Sequence, residues 1–455
     1  MATFHIENFG CRATQADAAA IERQLLVRGY ARSGAADAAD VVVVNTCTVT
    51  ASADSQARQA IRAIHSANPQ ARIVATGCYA QRAPEELASL EGVRWVVGNS
   101  HQTEIARLLG TAADSSFVPL AQVDTEPMSL VRGPAKILTG NIFEQIEVLV
   151  APVEGGEAGH TRPILKIQDG CNNRCAYCVI PFVRGRSRSL EPARVLEEIG
   201  RLAATGFREV VLSGINLGSY GRDLAPRVEL GDLLRRILDE TPLERLRLSS
   251  IEPTDVTRDL VDLFASTDRL AHHFHIPLQS GSDRILAAMH RWYRAEQYAR
   301  RVELIRERLP DAGIGADLIA GFPGGTEEDH AATLALVEKL PLTYLHVFSF
   351  SKRPGTKAAG LGGEVPPETI KRRSRELRAL AARKQAAFLS SQVGKILRVL
   401  TLRRSGEDAH GAWTGALSSN YVNVRVAGPW LANQMLDVHV SAAEGTSLLA
   451  SLISA

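Results

Sequence analysis

The chain has 455 residues, a formal net charge of +2, 45% hydrophobic and 22% charged residues, and six cysteines. These values fit a globular protein of about three domains and give no sign of a broadly basic nucleic-acid binder or a disulfide scaffold. No secretory signal and no apolar run of membrane-helix length is visible, so no membrane partner and a cytoplasmic location are expected.

Residues 1–112 alternate apolar runs with helical patterns. Thr3-Phe4-His5-Ile6 precedes Gly10-Cys11, Val41-Val42-Val43-Val44 precedes Asn45-Thr46-Cys47, and Ile73-Val74-Ala75 precedes Thr76-Gly77-Cys78. Near-continuous apolar strands between helices predict a parallel sheet covered on both faces. Each cysteine falls just past a strand, where open parallel sheets collect ligands. Singly, each is an ordinary buried thiol. Together they make one set of three. Residues 113–156 are irregular and read as a linker.

From Ile164 a strand–loop–helix period repeats, with strands expected at 164–168, 209–213, 245–250, 273–278, 314–320 and 344–349. Six such units predict a partial parallel barrel with its chemistry at the strand C-terminal ends. Ser189 is expected to cap the first helix and Gly206 to end it. Thr326 is expected to cap a later helix, with Glu327, Glu328 and Asp329 in its first turn.

After the first strand and Asp169-Gly170 comes Cys171-Asn172-Asn173-Arg174-Cys175-Ala176-Tyr177-Cys178, spaced C-x3-C-x2-C. Thiolates suit iron–sulfur clusters or zinc. A closed zinc site needs a fourth ligand, and the nearest, His160, lies across the strand. Three thiolates on a four-iron cluster leave one iron open to a small molecule. A fragment of a zinc knuckle and a set of inert thiols are the plainer alternatives.

Other strand ends are polar or glycine-rich: Ser213 to Asn216, Ser249 to Glu252, Pro277 to Gly281, and Asp317 to Gly324. Ordinary turn chemistry also accounts for them. His272, His273 and His275 read as hydrogen-bonded core or cleft histidines. A basic helix carries Lys371, Arg372, Arg373, Arg375, Arg378, Arg383 and Lys384. Arg184, Arg186 and Arg188 form a second expected basic patch. From about 392 the pattern turns to short strands, a small antiparallel barrel in which Trp413, Tyr421 and Trp430 are candidates to stack on bases.

The run Lys166 to Gly185, including Tyr177, resembles the methylthiotransferase branch of the radical S-adenosylmethionine (radical SAM) enzymes. So do Gly10-Cys11, Asn45-Thr46-Cys47-Thr48-Val49-Thr50 and Thr76-Gly77-Cys78-Tyr79-Ala80-Gln81. Thr14 stands where the family usually has Asn. Gly325 departs from the usual Gly-Glu-Thr, with Glu327 a candidate substitute. Gly394-Lys395 and Asn420-Tyr421 resemble a TRAM domain, an RNA-binding module.

The resemblance implies an α/β enzyme with four segments. These are an N-terminal three-layer domain (1–112), a linker (113–156), a radical SAM core (157–388) with a (βα)6 partial TIM barrel, and a TRAM-like β-barrel (389–455). It implies two 4Fe–4S clusters, one on Cys171, Cys175 and Cys178 and an auxiliary one on Cys11, Cys47 and Cys78. S-adenosylmethionine would lie near Tyr177, Gly214, Glu252, Gln279, Ser280 and Asp317. The implied reaction is radical C–H activation, sulfur insertion and methylation, with a one-electron reductant and a sulfur donor as partners. The quoted runs look most like the branch acting on threonylcarbamoyladenosine beside the tRNA anticodon. Isopentenyladenosine in tRNA and a ribosomal-protein aspartate are the alternative substrates. A metal-containing RNA-binding protein and an electron-transfer protein are the non-catalytic alternatives.

Overall fold

The computed structural model describes residues 2–110, 135–149, 161–408 and 411–453. His160 and most of the expected linker lie outside the described residues. The chain forms two compact units. The first takes in the N-terminal residues through 149, as far as they are described, with Asp169–Asn173 and Cys178–Arg188. The second takes in Arg174–Tyr177, Ser189 onward and the residues just before Asp169.

The first unit is built on a parallel sheet. Its strands are β1 (Thr3–Asn8), β2 (Ala31–Arg32), β3 (Val41–Thr46), β4 (Arg72–Gly77), β5 (Val93–Gly98) and β6 (Lys136–Leu138), in the order β2-β1-β3-β4-β5-β6. β6 lies inside the stretch expected to be linker and pairs with β5 through Trp95 and Lys136. Val41, Val42, Val43 and Val44 are all fully buried. Val42 and Val44 pack with Ile61, Ile73 and Tyr79 on one face, and Val41 and Val43 with Ile21, Leu25 and Val74 on the other. Each such side chain contributes about 1.5–3 kcal/mol on leaving water. Both faces of the strand are therefore committed to the core, which fixes where its C-terminal end emerges.

In the second unit the paired strands between Ile164 and Ser349 form two parallel sheets. β7 (Ile164–Lys166) ends early, and two short strands, β8 (Gln168–Asp169) and β9 (Arg188–Ser189), flank the central cysteine segment in sequence. β10 (Glu209–Ser213) sits between β7 and β11 (Arg245–Leu248). β12 (His273–His275), β13 (Gly313–Ala320) and β14 (Tyr344–Ser349) form a second trio. Isolated parallel bridges, Leu246 to Leu270 and Ser250 to His275, join the two trios. Amphipathic helices separate the strands. The helix Glu327–Lys339 starts with the expected cap, where Thr326 and Asp329 exchange hydrogen bonds. Gly206 follows the helix Pro192–Ala204 at φ +96°, as expected. Ser189 does not cap that helix. Its hydroxyl donates to Asp223 Oδ1 (2.6 Å), while Glu191 and Pro192 begin the helix without a side-chain cap.

The last five strands, β15 (Ile396–Asp408), β16 (Gly411–Ser418), β17 (Asn423–Ala427), β18 (Met435–Glu444) and β19 (Ser447–Leu452), close into a barrel ordered β15-β16-β17-β19-β18. It differs from the expected antiparallel barrel at one joint, since β17 and β19 pair in parallel. No helix among the described residues is long and apolar enough to cross a membrane.

Candidate cluster and cofactor site

Cys11, Cys47 and Cys78 sit at the C-terminal ends of β1, β3 and β4, three adjacent strands. Side-chain hydrogen bonds lock their loops together. Asn45 Nδ2 donates to Asn8 Oδ1 (2.9 Å) and to the Thr14 carbonyl (2.7 Å), tying the Cys11 loop to the strand before Cys47. The Thr14 hydroxyl lies 2.7 Å from the Cys11 carbonyl and 3.1 Å from that of Phe9, so the departure from Asn leaves a closed turn. Arg82 donates to Thr48 Oγ1 (2.8 Å) and to Asp54 Oδ2 (3.0 Å), and Thr48 donates to Asp54 Oδ1 (2.6 Å). This joins the Cys47 loop to the short helix that begins at Cys78.

Two glycines make the approach possible. Gly10 has φ +109°, and a Cβ there would stand 2.5 Å from Cys47 Cβ. Gly77 has φ +97°, and a Cβ would meet the Thr46 carbonyl oxygen at 2.3 Å. A side chain at Gly10 would displace Cys47, and one at Gly77 would displace the Thr46 backbone beside it.

The electrostatics fit a cationic occupant. Burial pushes the Cys47 thiol up to about 12, and the Cys78 and Cys11 thiolates add to the rise. Burial also raises Cys78, against the opposing pull of Arg184. Cys47 and Cys78 are buried and Cys11 is exposed, and thiolates at the two buried positions are costly unless positive charge lies beside them. All six cysteines are free thiols. Asn99 Nδ2 reaches Cys78 Sγ at 3.5 Å and donates to the Val183 carbonyl at 2.7 Å.

Arg184 and Arg188 do not form the expected basic patch. Arg184 is buried between Asp17 (2.7 Å) and Asp169 (3.1 Å). Arg188 reaches Asp169 and donates to the Glu147 and Arg184 carbonyls. Only Arg186 of the three is exposed.

The central cysteines lie on the segment before the helix Ile180–Arg184. Cys171 N donates to the Gly185 carbonyl (3.0 Å), and Asn173 N points at Cys171 Sγ (3.4 Å). In the second unit, Arg291 Nη1 lies 3.3 Å from both Cys175 Sγ and Glu252 Oε1. Ala176 exchanges backbone bonds with Met289 and Ala358, and Tyr177 packs beside Ile285, Met289 and Phe322. Arg291 was not singled out in the sequence. No local pattern marks it, because its partners come from two other loops.

The residues carried over for S-adenosylmethionine occupy strand ends of the second unit. Gly214 lies against Gln168, whose Oε1 accepts from Asn216 N at 2.8 Å. Glu252 is partly buried; desolvation raises its pKa, and Arg291 opposes that rise. Gln279 adopts φ +69° and bridges to β13, its N donating to the Asp317 carbonyl (2.7 Å). Ser280 Oγ accepts from Ser282 N (3.2 Å). The Asp317 carboxylate is engaged by His275 Nε2 (2.9 Å) and His346 Nδ1 (3.2 Å). Glu327 lies next to the Gly325 loop, where Arg373 Nη1 donates to the Gly325 carbonyl (3.1 Å). Glu327 pairs with Arg372 and Arg373 of the helix Pro367–Ser390.

His273 and His275 are hydrogen-bonded as expected, whereas His272 Nε2 is buried without a hydrogen-bond partner among the described residues. Tyr344 OH lies 2.8 Å from His273 Nε2 and 2.9 Å from His275 Nδ1. Tyr421 is half-buried, and its ring stacks on His273 with centroids 4.3 Å apart. Trp430 packs against the β-barrel core, and Trp413 lies between Arg404 and Arg425. On the basic helix, Arg383 and Lys384 both bond Glu338.

Residues 3–98 match the family described as uncharacterized protein family UPF0004, and residues 165–337 match the radical SAM superfamily. The threonylcarbamoyladenosine tRNA methylthiotransferase MtaB of Aquifex aeolicus is 38% identical over 93% of this chain and 96% of its own length. The tRNA-2-methylthio-N(6)-dimethylallyladenosine synthase of Syntrophobacter fumaroxidans is 34% identical over 99% of this chain and 95% of its own.

The chain belongs to the radical SAM tRNA methylthiotransferase family.

Membership makes it a radical SAM methylthiotransferase, with S-adenosylmethionine and a 4Fe–4S cluster implied by the superfamily. Among solved structures, the radical SAM methyltransferase TsrM of Kitasatospora setae aligns with a TM-score of 0.57 at 20% identity, over 79% of this chain and 77% of that one. That likeness concerns the fold alone.

Proposed function

We propose that this methylthiotransferase converts threonylcarbamoyladenosine beside the tRNA anticodon to its 2-methylthio derivative. The placement of Cys11, Cys47 and Cys78 just past the ends of three adjacent strands supports the reading, because it offers three thiols to a second cluster. Cys171, Cys175 and Cys178 hold the radical SAM cluster, and Cys11, Cys47 and Cys78 the auxiliary 4Fe–4S cluster. When bound, these clusters supply the electron that cleaves S-adenosylmethionine and the sulfur that is transferred.

The chain's own residues do the rest. Arg291 donates toward Cys175 and holds Glu252, and Asn99 donates toward Cys78. Such bonds set ligand orientation and cluster potential. Tyr177, Gly214, Glu252, Gln279, Ser280 and Asp317 line the S-adenosylmethionine site. The six parallel strands act as a partial barrel, and β15–β19 as the RNA-binding module. We keep 1–112, 157–388 and 389–455 as the functional domains of a cytoplasmic enzyme, served by a one-electron reductant and a sulfur donor.

Isopentenyladenosine is the second reading, favoured by the dimethylallyladenosine relative that matches nearly the whole chain.

The test is anaerobic reconstitution of the wild type and a Cys171/Cys175/Cys178→Ala variant, followed by nucleoside analysis of tRNA carrying each modified adenosine. About eight irons per chain falling to about four, with 2-methylthio product only from threonylcarbamoyladenosine, is expected. Zinc instead of iron sinks the cluster reading. Product only from isopentenyladenosine transfers the enzyme to the second reading.

A further inference from the structure

Of the four tryptophans in the chain, Trp292 alone is exposed, at 72%. A single exposed apolar side chain is ordinary. This one stands on a segment that is pinned on both sides and lies at the central cysteines. The Met289 carbonyl accepts from the backbone N of Ala176, which lies between Cys175 and Cys178 in sequence (2.9 Å). His290 turns the chain at φ +57°. Arg291 reaches inward to Cys175 Sγ (3.3 Å) and pairs with Glu252. Tyr293 is buried and its hydroxyl donates to the Leu278 carbonyl just past β12 (2.8 Å). Ala295 N donates to Asp283 Oδ1 (2.7 Å). With both neighbours turned inward, the indole between them is left in solvent, on backbone that lies within about 15 Å of Cys175 Sγ. Only two side-chain torsions remain to be fixed when a ligand meets it.

We propose that Trp292 is a stacking platform for an unpaired base of the tRNA, that of a nucleotide flanking the target adenosine. This rests on the radical SAM cluster being held by Cys171, Cys175 and Cys178, as proposed above, and is the same for either modified adenosine. The reacting base must reach S-adenosylmethionine at that cluster, so the nucleotides on either side of it pass over the rim where Trp292 stands. Unpaired RNA bases are held on aromatic faces. Arg294, exposed two residues on, supplies a cation for the phosphate backbone. A docked protein calls for a broad apolar patch, whereas the ring's neighbours in sequence are His290, Arg291, Tyr293 and Arg294.

Reconstituted full-length enzyme, with S-adenosylmethionine present, is titrated anaerobically with an anticodon stem-loop bearing the modified adenosine. Two further stem-loops lack the base 5′ or 3′ of it. Wild type is compared with Trp292→Ala and Trp292→Phe, each at about eight irons per chain as the check on folding. Trp292→Ala should bind the complete stem-loop about 5- to 100-fold more weakly than wild type, and Trp292→Phe should recover most of the loss. Removing one of the two bases should weaken wild type by a similar factor and Trp292→Ala by much less, since a ring and the base on it act as a pair. Wild-type affinity in Trp292→Ala overturns the proposal. So does a loss that simply adds to that of either missing base, because the ring then touches neither. Unchanged RNA affinity with turnover lost only when a protein reductant replaces dithionite also overturns it, and gives the ring to a protein partner. A wild type whose iron stays at about eight when Cys171, Cys175 and Cys178 are replaced by Ala fails the cluster reading, and this proposal with it.

Discussion

Arg184 and Asp17 form an ion pair at 2.7 Å in which the guanidinium is 1% and the carboxylate 0% exposed. The same guanidinium faces Cys78 and Cys11, whose charges join those of Asp17 and Asp169 in raising its pKa against the effect of burial. Removing it strands two buried carboxylates beside the N-terminal thiols. Arg184→Met should cost about 3–5 kcal/mol in urea unfolding and lower iron retention at the N-terminal site. A midpoint unchanged from wild type would refute the pair's role.

Arg291 is a positioning residue for the central cysteines. It is buried, touches Cys175 Sγ at 3.3 Å and pairs with Glu252. Arg291→Met should reduce S-adenosylmethionine cleavage by about 10- to 100-fold and shift the reduction potential of the cluster that remains. Arg291→Lys should restore the potential in part. An unshifted potential in both variants would reduce Arg291 to packing.

Glu209 is the hub beneath β10 and β11. It is fully buried and accepts from Arg245 Nε (2.6 Å) and Arg247 Nε (2.8 Å). Burial raises its pKa, but Arg247, Arg245 and Arg162 outweigh that and hold it far below the ordinary carboxylate range. A folded pKa below the unfolded one stabilises at pH values above the unfolded value. That stability disappears as pH falls through the folded pKa. Glu209→Gln should therefore cost about 3–5 kcal/mol at pH 7. The gap between wild type and variant should hold from pH 8 to about 5 and narrow below about 4. Urea titrations across that range measure it, and a gap that grows on acidification contradicts the assignment.

Gly77→Ala tests the strand-end geometry. The added methyl would meet the Thr46 carbonyl at 2.3 Å in a positive-φ conformation. Iron bound by a Cys171/Cys175/Cys178→Ala background should fall from about four to near zero. Full retention would show that the Cys78 loop adapts.

Much of this was legible in the sequence because it rests on local pattern. Val41–Val44 announces a strand buried on both faces, and the three N-terminal cysteines could be placed at strand ends by counting from such runs. Thr326 was a readable cap because its partner Asp329 is three residues away. Arg184 was misread, since Asp17 and Asp169 reach it only through the fold and turn a seeming surface charge into a buried one. Arg291 carries no local signal for the same reason. Ser189 was a reasonable cap until Asp223, far along the chain, took its hydroxyl. Charges and caps are decided by partners, and partners far apart in the chain leave no periodicity to read.

Tyr421, at φ +67° in the hairpin between β16 and β17, lies on His273, while Arg245 and Arg247 donate to the Leu417, Ser418 and Ser419 carbonyls of that hairpin. Asn420 Nδ2 adds a bond to the Asp311 carbonyl just ahead of β13. In sequence the last segment resembles a detachable accessory. In three dimensions its hairpin is the floor on which the catalytic strands stand. Cutting the chain after the basic helix would pull out that floor and uncover Glu209 and its arginines. A shortened chain should thus be an unstable one before it is an RNA-blind one.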